Sequence, residues 1–136
     1  MTAAAIATHP RIDPSLCGAP VTVAPGRAEV RLVASSVMAA DDHGLCHGGF
    51  VFGAADYAAM LAVNDPNVVL GSAAVKFLKP VRVGEAVLAR ATCTSEHGRK
   101  RMVAVEVVRE ADAEVVFSGE FVCFVLDRHV LAGQAT

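Results

Sequence analysis

The apolar run from Gly48 to Val63 constrains the fold of this 136-residue chain more than any other segment. The run is rich in Ala, Phe, Val, Met and Leu, and Asp56 is its only charged residue. The sequence Asn64-Asp65-Pro66 follows and predicts the end of a helix, because proline cannot continue one. A helix that is apolar on nearly every side is a buried helix. We therefore predict one long helix over 48–63, enclosed by other elements.

The rest of the chain predicts the strands that enclose this helix. Polar and apolar residues alternate over 27–33 and over 101–109, which is typical of half-buried strands. Further strands are predicted over 68–79, 84–95 and 114–126, with short turns between them. Short turns favour antiparallel neighbours. The prediction is an α+β fold, in which a curved antiparallel sheet of about five to six strands wraps around one long central helix.

Length and composition indicate a single domain of ordinary size. We expect an N-terminal extension over 1–18, with one helical turn after Asp13-Pro14, and one domain over 19–136. The four cysteines form no C-x-x-C pair and no signal peptide is evident, so we expect reduced thiols and a cytoplasmic protein. A net charge of −2 provides no general attraction to nucleic acid or to a membrane.

The first candidate for chemistry is His47-Gly48-Gly49, at the predicted start of the helix. A helix N-terminus presents unpaired N–H groups and the positive end of a dipole. Two glycines there let a ligand carbonyl approach the backbone, where the N–H groups would stabilise an oxyanion. The alternative is a purely structural helix entry, in which the side chain of His47 caps its own helix.

The second candidate is Asp56, the carboxylate within the apolar helix. An unpaired carboxylate is expensive to bury, and desolvation raises its pKa. A carboxylate retained in such a place is a candidate base or nucleophile. The alternative is a buried Asp56 that is satisfied by a hydrogen bond at a subunit interface.

Helical geometry separates the two candidates. Nine residues place Asp56 roughly half a turn around the helix from His47 and about 13 Å along its axis. One helix therefore cannot easily bring both to one substrate. If two subunits lay their helices side by side and antiparallel, His47 and Gly48 of one would face Asp56 of the other, which predicts an active site built across a dimer.

Several segments in this order resemble the PaaI-type (phenylacetate-degradation) branch of the hot-dog acyl-CoA thioesterases. CHGGFVFGAAD over 46–56 resembles the family's helix-start motif, with an acidic residue nine positions after the histidine. FLKPVRVGE over 77–85 resembles the next signature, an aromatic residue followed by a proline and a Gly-Glu turn. Segments 98–100, 105–107 and 116–121 match the closing strands. The resemblance covers roughly residues 19–127.

The resemblance implies a hot-dog fold, a homodimer that forms the active site, and often a homotetramer. It implies hydrolysis of an acyl- or aryl-CoA to the free acid and CoA, with CoA as part of the substrate and no metal or other cofactor. Gly48 would offer its N–H to the thioester carbonyl, His47 would help to position the substrate, and Asp56 would be the base or nucleophile. The candidate substrate-binding residues are Gly49, Asp41, Ser72, Phe77, Lys79, Arg82, Arg99 and Lys100.

Two positions depart from the family pattern. Asp41 stands where the family often has Asn, and Leu70 stands where it often has Ser or Thr, with Ser72 two residues later.

The basic residues have two interpretations. The cations at Lys76, Lys79 and Arg82 and in the run 99–101 would suit the CoA phosphates. Alternatively, they are ordinary solvated charges at strand ends.

Other chemistries are weaker hypotheses. His43, Cys46 and His47 with the nearby aspartates are zinc-ligand types, but no second cluster completes a site. Nothing in the sequence activates Cys46 as a thiolate nucleophile. The main alternative to a hydrolase is a non-catalytic acyl-CoA-binding module, because the later strands also resemble the hot-dog effector domains of fatty-acid-synthesis repressors. A hot-dog dehydratase ranks below both, since no short loop pairs an Asp with a His.

Overall fold

The computed structural model describes residues 4–133 as two helices, one 3-10 turn and six strands. The long helix α2 spans the predicted residues. The elements in chain order are α1 (Pro14–Cys17), β1 (Ala19–Ala24), β2 (Arg27–Val33), the 3-10 turn (Ser36–Met38), α2 (Gly48–Val63), β3 (Val68–Phe77), β4 (Ala86–His97), β5 (Lys100–Arg109) and β6 (Val115–Val125).

The six strands form one antiparallel sheet in the order β1-β2-β4-β5-β6-β3. A two-residue turn joins β4 to β5, and Gly98 occupies it with a φ of 61°, a conformation that glycine adopts without steric cost. β1 and β3 lie at the two edges. The predicted α+β hot-dog architecture, one sheet and one central helix, is confirmed.

Small side chains hold α2 close to the sheet. Ala54, Ala55, Ala58 and Ala59 are all inaccessible to solvent, and the helix packs mainly on β2, β4 and β5. A row of alanines lets the helix backbone approach the strands, whose valines fill the remaining space. The Ala-rich helix sequence is therefore the complement of the Val-rich strand sequence.

One face of α2 is not covered within the protomer, which corrects the prediction that the helix is enclosed on every side. Gly49 is exposed, and a Cβ added at Gly53 would meet no atom within 4 Å. The edge strand β3 lies on the same side and exposes Ser72, Ala73 and Ala74 in succession, so both of its faces are open there. Six strands curve around only part of the helix circumference.

The N-terminal segment packs against the domain. Asp13 caps α1 by accepting a hydrogen bond from the N–H of Ser15 at 2.9 Å, and Pro14 is the first helical residue, as predicted. Further upstream, the N–H of Ala4 donates to the carbonyl of Val23 at 2.6 Å and so extends the β1 edge. Within residues 4–133, neither helix has the length and apolarity needed to cross a bilayer.

Candidate active site

The loop before α2 is fixed by its own hydrogen bonds. One oxygen of Asp41, Oδ1, accepts from the N–H of His43 at 2.9 Å and from the N–H of Leu45 at 3.2 Å. The N–H of His47 then donates to the carbonyl of Met38 at 2.8 Å. Asp41 therefore shapes the loop that delivers the start of the helix.

The first backbone amides of α2 are available to a ligand. Within residues 4–133, neither the N–H of Gly48 nor that of Gly49 has a hydrogen-bond acceptor. His47 is the N-cap residue, but its side chain makes no capping hydrogen bond, so the interpretation in which it caps its own helix is wrong. Its ring lies over Gly49 and edge-on to Phe50, with 6.1 Å between the ring centroids. The exposed helix dipole therefore faces solvent beside an imidazole.

A cavity of about 280 Å³ opens at this helix start. Phe77 at the end of β3 closes one side, with its ring against Gly48 and edge-on to Phe117 at 5.2 Å. Lys79 is the only charged residue of the lining, and the rest is mainly apolar. The lining residues are Leu45, Cys46, Gly48, Val51, Phe77, Lys79, Pro80, Val81 and Val116. The arrangement suits a small apolar group with a carbonyl at the helix end.

Asp56 is a carboxylate in an apolar setting. Its Oδ1 is buried and has no hydrogen-bond partner within the described part of the chain. Burial raises the pKa of Asp56 from its ordinary value of 3.8 to about 6. The thiols of Cys17 and Cys123 lie close enough for its charge to contribute to their own raised pKa values, after the larger effect of burial. A carboxyl group in this state can exchange a proton near neutral pH.

Gly48 and Asp56 are too far apart to act on one bond within a protomer. Eight residues of helix separate them by about 12 Å along the axis. Phe52 fills the space between them and stacks on Phe121, with 5.5 Å between the centroids. Both residues nevertheless lie towards the β6–β3 edge, beside the uncovered face of α2. One protomer therefore keeps the two candidate groups apart, and the site shared between two subunits stays a prediction.

The basic residues divide between the two ends of β3. Lys79 lines the cavity, and Arg82 lies next to it, since Arg82 forms an isolated β-bridge with the lining residue Leu45. Arg99 lies at the other end of the sheet, where its carbonyl accepts from the N–H of Val125, and it is ion-paired with Asp127. Lys100 is at the same far end, opposite Phe124. One protomer does not bring the two pairs of cations together.

Ser72 lies away from the cavity. It follows an irregularity in the β3–β6 register and is exposed on the edge strand. Its side chain makes no hydrogen bond within residues 4–133.

Sequence reasoning missed residues that distant strands bring to the two candidates. Val116 carries no local signal, and the pairing of β3 with β6 places it at the cavity beside Phe77. Cys123 of β6 lies near enough to Asp56 for the carboxylate charge to affect its thiol. Cys46 also lines the cavity, but burial raises the pKa of its thiol, which donates to the carbonyl of His47 at 3.6 Å. Among residues 4–133, no three His, Cys, Asp or Glu side chains are grouped to hold a metal ion.

Comparisons with known proteins agree with this architecture. Residues 43–116 match the model of a family described as the thioesterase superfamily. A methylthioribose-1-phosphate isomerase of Aquifex aeolicus is 54% identical over 116 residues, which are 85% of this chain but 25% of that protein. The transcription factor FapR of Shouchella clausii is 37% identical over 82 residues, 60% of this chain and 41% of that protein. This chain therefore spans less than half the length of either relative.

Solved structures match over most of this chain and most of their own length. An uncharacterized protein from Pyrococcus horikoshii superposes with a TM-score of 0.93 and 49% identity, covering 96% of this chain and 99% of that one. A point mutant of the phenylacetic acid degradation protein PaaI from Thermus thermophilus superposes with a TM-score of 0.75 and 31% identity, covering 84% and 100%. Because the match to the Pyrococcus structure covers 96% of this chain, it includes most of the segment before β1.

Proposed function

This chain belongs to the thioesterase superfamily and has its hot-dog fold, and from that premise we propose that it hydrolyses the thioester bond of an acyl- or aryl-CoA. The observation that carries the proposal is the buried, unpaired Oδ1 of Asp56, whose carboxyl group has a pKa of about 6. A carboxylate in that state is costly to keep. Its retention is explained if it acts as a base or nucleophile on a substrate.

In the proposed reaction, the first amides of α2 and the Asp56 carboxylate act on the same thioester. The amides of Gly48 and Gly49 polarise the thioester carbonyl and stabilise the oxyanion, while His47 helps to position the substrate. In one route Asp56 takes a proton from water as the water oxygen attacks the carbonyl carbon. The C–S bond then breaks, and the CoA thiolate takes the proton that Asp56 holds. In the other route Asp56 attacks the carbonyl carbon directly, the C–S bond breaks and CoA leaves as the thiolate; water then hydrolyses the resulting mixed anhydride and releases the acid and the Asp56 carboxylate.

The active site as proposed is completed by a second copy of the chain. The open face of α2 and the open edge of β3 adjoin, and together they form a surface with unpaired strand groups and small residues. Antiparallel pairing of two β3 strands would place two α2 helices side by side in opposite directions. Gly48 of one subunit would then approach the partner subunit's Asp56. A homotetramer of two such dimers is the larger assembly that the family resemblance implies.

The first test is thiol release from a panel of acyl- and aryl-CoA thioesters. We expect wild-type protein to hydrolyse at least one substrate class and Asp56→Asn to lose about a thousandfold in kcat, the scale of general-base catalysis. Asp42→Asn is the matched control, because Asp42 is an exposed carboxylate in the loop before α2. Equal rates for wild type and Asp56→Asn would refute the assigned role.

Mixing two inactive variants tests the shared site. Asp56→Asn retains the Gly48 end of the proposed site, and Gly48→Val retains the Asp56 carboxylate, so each variant keeps the group that is lost in the other. After unfolding and refolding together in equal amounts, half of the dimers are mixed and each has one intact site, so about a quarter of wild-type activity should return. No recovery in demonstrably mixed dimers would place both residues in the same subunit's site. Oxygen-18 incorporation in a single turnover then separates the two chemical routes, because direct attack transfers an enzyme oxygen to the first product.

The second candidate function is a module that binds acyl-CoA without cleaving it. The similarity to FapR, named as a transcription factor, favours this alternative. A pure binder has no need of the unpaired carboxylate of Asp56, which is the reason for ranking it second. Measurable binding of CoA esters without thiol release from any of them would establish the binder instead.

A further inference from the structure

A second cavity lies at the end of α2 that is remote from Gly48. It has a volume of about 490 Å³ and is formed where the segment 7–11, the turn 66–67 with the start of β3, and the C-terminal turn at 129–130 meet. The side chain of Asn64, which follows the helix, holds the first of these segments in place. Its Oδ1 accepts from the N–H of Ala7 at 2.8 Å, and its Nδ2 donates to the carbonyl of Ala5 at 2.9 Å. The cavity is therefore a built feature of the domain.

The polar groups of this cavity are the Thr8 hydroxyl, the rings of His9 and His129, the Asn67 amide and the Arg11 guanidinium. Thr8 is only 3% exposed, and its Oγ1 lies 2.7 Å from Nδ1 of His9. Partial burial lowers the pKa of His9, so its ring is neutral at neutral pH. Nδ1 of His129 accepts from the N–H of Leu131 at 3.0 Å, which leaves the proton of a neutral ring on Nε2. Arg11 is exposed at the rim and, within residues 4–133, forms no ion pair or hydrogen bond with its guanidinium.

The walls between these groups are flat and apolar. Pro10, Pro66, Val68 and Val69 supply them, and the volume is within the range of sites for small organic ligands. An acyl chain would use the walls but not the donors or the guanidinium. A nucleotide uses both, because its base packs on apolar walls and hydrogen bonds at its edges, while its phosphates pair with arginine.

The position of the cavity relates it to the proposed substrate. Val68 and Val69 begin β3, whereas Phe77 and the cavity at Gly48 lie at its other end. If two β3 strands pair antiparallel about the exposed residues at 72–74, the start of one strand lies beside the end of the other. The 490 Å³ cavity of one subunit then opens on the same side as the partner subunit's Gly48. The turn that carries Lys100 lies at this end as well.

We propose that this cavity binds the adenosine-phosphate end of the CoA ester, with the Arg11 guanidinium on a phosphate and the base between the proline and valine walls. The inference rests on the proposed function, because the thioester end is assigned to the partner subunit's Gly48. The extended pantetheine arm separates the phosphates from the thioester, so the phosphate site must lie outside the cavity that holds the carbonyl. The N-terminal segment is thereby a part of the substrate site.

Calorimetric titration with adenosine 3′,5′-bisphosphate tests the inference without any hydrolysis. We expect Arg11→Gln to weaken binding by about tenfold, the scale of one charge-assisted phosphate contact. The matched control is Arg27→Gln, since Arg27 is also exposed but begins β2. Amide chemical shifts of Thr8, Val68 and His129 should move on addition of the nucleotide to wild-type protein. Absence of nucleotide binding, equal binding by both variants, or shift changes confined to other residues would overturn the inference.

Kinetics separates this inference from the proposed function. For a hydrolysed acyl-CoA, Arg11→Gln should raise KM about tenfold and leave kcat unchanged, while the matching N-acetylcysteamine thioester, which lacks the nucleotide, should be unaffected. Hydrolysis that is insensitive to Arg11 on both substrates would overturn this inference and leave the hydrolase. Arg11-dependent binding of nucleotide and CoA esters without hydrolysis would support the site and refute the hydrolase.

Discussion

Gly48, the first residue of α2, lies against the ring of Phe77 so closely that a Cβ on Gly48 would come within 3.1 Å of Phe77 Cε1. A side chain at this point, where the helix amides meet the cavity, would force the Phe77 ring to shift by a few tenths of an ångström. Phe77 is 57% exposed, so the ring, rather than the helix, would move to relieve a clash. The contact therefore governs the geometry of the cavity more than the stability of the fold.

Substitution of Gly48 by Ala should lower kcat/KM by about tenfold or more, because the added methyl group displaces the Phe77 ring into the cavity where the carbonyl must bind. Thermal unfolding should change little. The double variant Gly48→Ala/Phe77→Leu should recover part of the loss, since the flexible leucine yields more space. If the double variant is no better than the single one, the Phe77 contact is not the cause.

Activity should depend on pH through Asp56. The carboxylate form is the base or nucleophile, and burial raises the pKa of this group to about 6. The kcat/KM for hydrolysis should therefore fall as the pH decreases below about 6, because Asp56 takes up one proton. A pH–rate profile between pH 4 and pH 9 measures this midpoint. A profile whose acidic limb has its midpoint near the ordinary value of 3.8 would contradict the assignment.

Replacement of Asp56 by Asn should stabilise the protein at pH 8. The folded-state pKa of about 6 lies above the unfolded value of 3.8, so the ionised group opposes folding. Stability is lost as the pH rises from about 4 to about 6 and stays reduced above that range. Allowing for the partial exposure of the group, the ionised form costs about 2 kcal/mol, which Asp56→Asn removes.

Urea unfolding of both proteins at pH 4 and pH 8 measures this effect. The difference in unfolding free energy between Asp56→Asn and wild type should be larger at pH 8 than at pH 4. An equal difference at the two pH values would show that ionisation of Asp56 does not destabilise the folded state. A hydrogen-bond donor from a second subunit that contacts the carboxylate would have this effect.

A glutamate at position 73 should separate the subunits and abolish activity. Ala73 faces the same side of the sheet as its β6 partner Phe121, which is fully buried, yet Ala73 itself is exposed on the free edge. Two copies of Ala73→Glu would place like charges near each other in a β3–β3 pair. Sedimentation velocity and thiol release on the same sample measure both effects.

Thr92→Glu is the matched control for this experiment. Thr92 is also exposed, but it lies on an interior strand, β4, beside Arg27 of β2. Its variant should retain the wild-type oligomer and activity. A monomeric Ala73→Glu protein with full activity would refute the shared active site.

Lys79 and Lys76 provide a matched pair of cations near the end of β3. Lys79 lines the cavity beside Gly48, whereas Lys76 is opposite Ser118 and does not line it. Lys79→Ala should raise KM for an acyl-CoA by about three- to tenfold, and the difference from wild type should shrink in high salt. Lys76→Ala should leave KM unchanged. Equal effects of the two substitutions would indicate only a general electrostatic attraction.

The sequence by itself determined the helix and the main strands. An apolar run bounded by glycines and by Asn64-Asp65-Pro66 has few other solutions, and the alternating segments 27–33 and 101–109 specify which strand face is buried. It also identified the two chemical candidates, Gly48 and Asp56. Both inferences depend on local periodicity and on the cost of burying a charge, which are properties of short segments.

Only the tertiary structure decided which residues share a space. Pairing of β3 with β6 places Val116 at the Gly48 cavity and separates Lys79 from Arg99 by the length of the sheet. Packing of α2 on the sheet brings Asp56 near Cys123. It also left one face of α2 open, although the helix sequence predicted burial on all sides. These outcomes depend on strand order and register between segments that are distant in the chain, and the periodicity of a single segment carries no information about its neighbours.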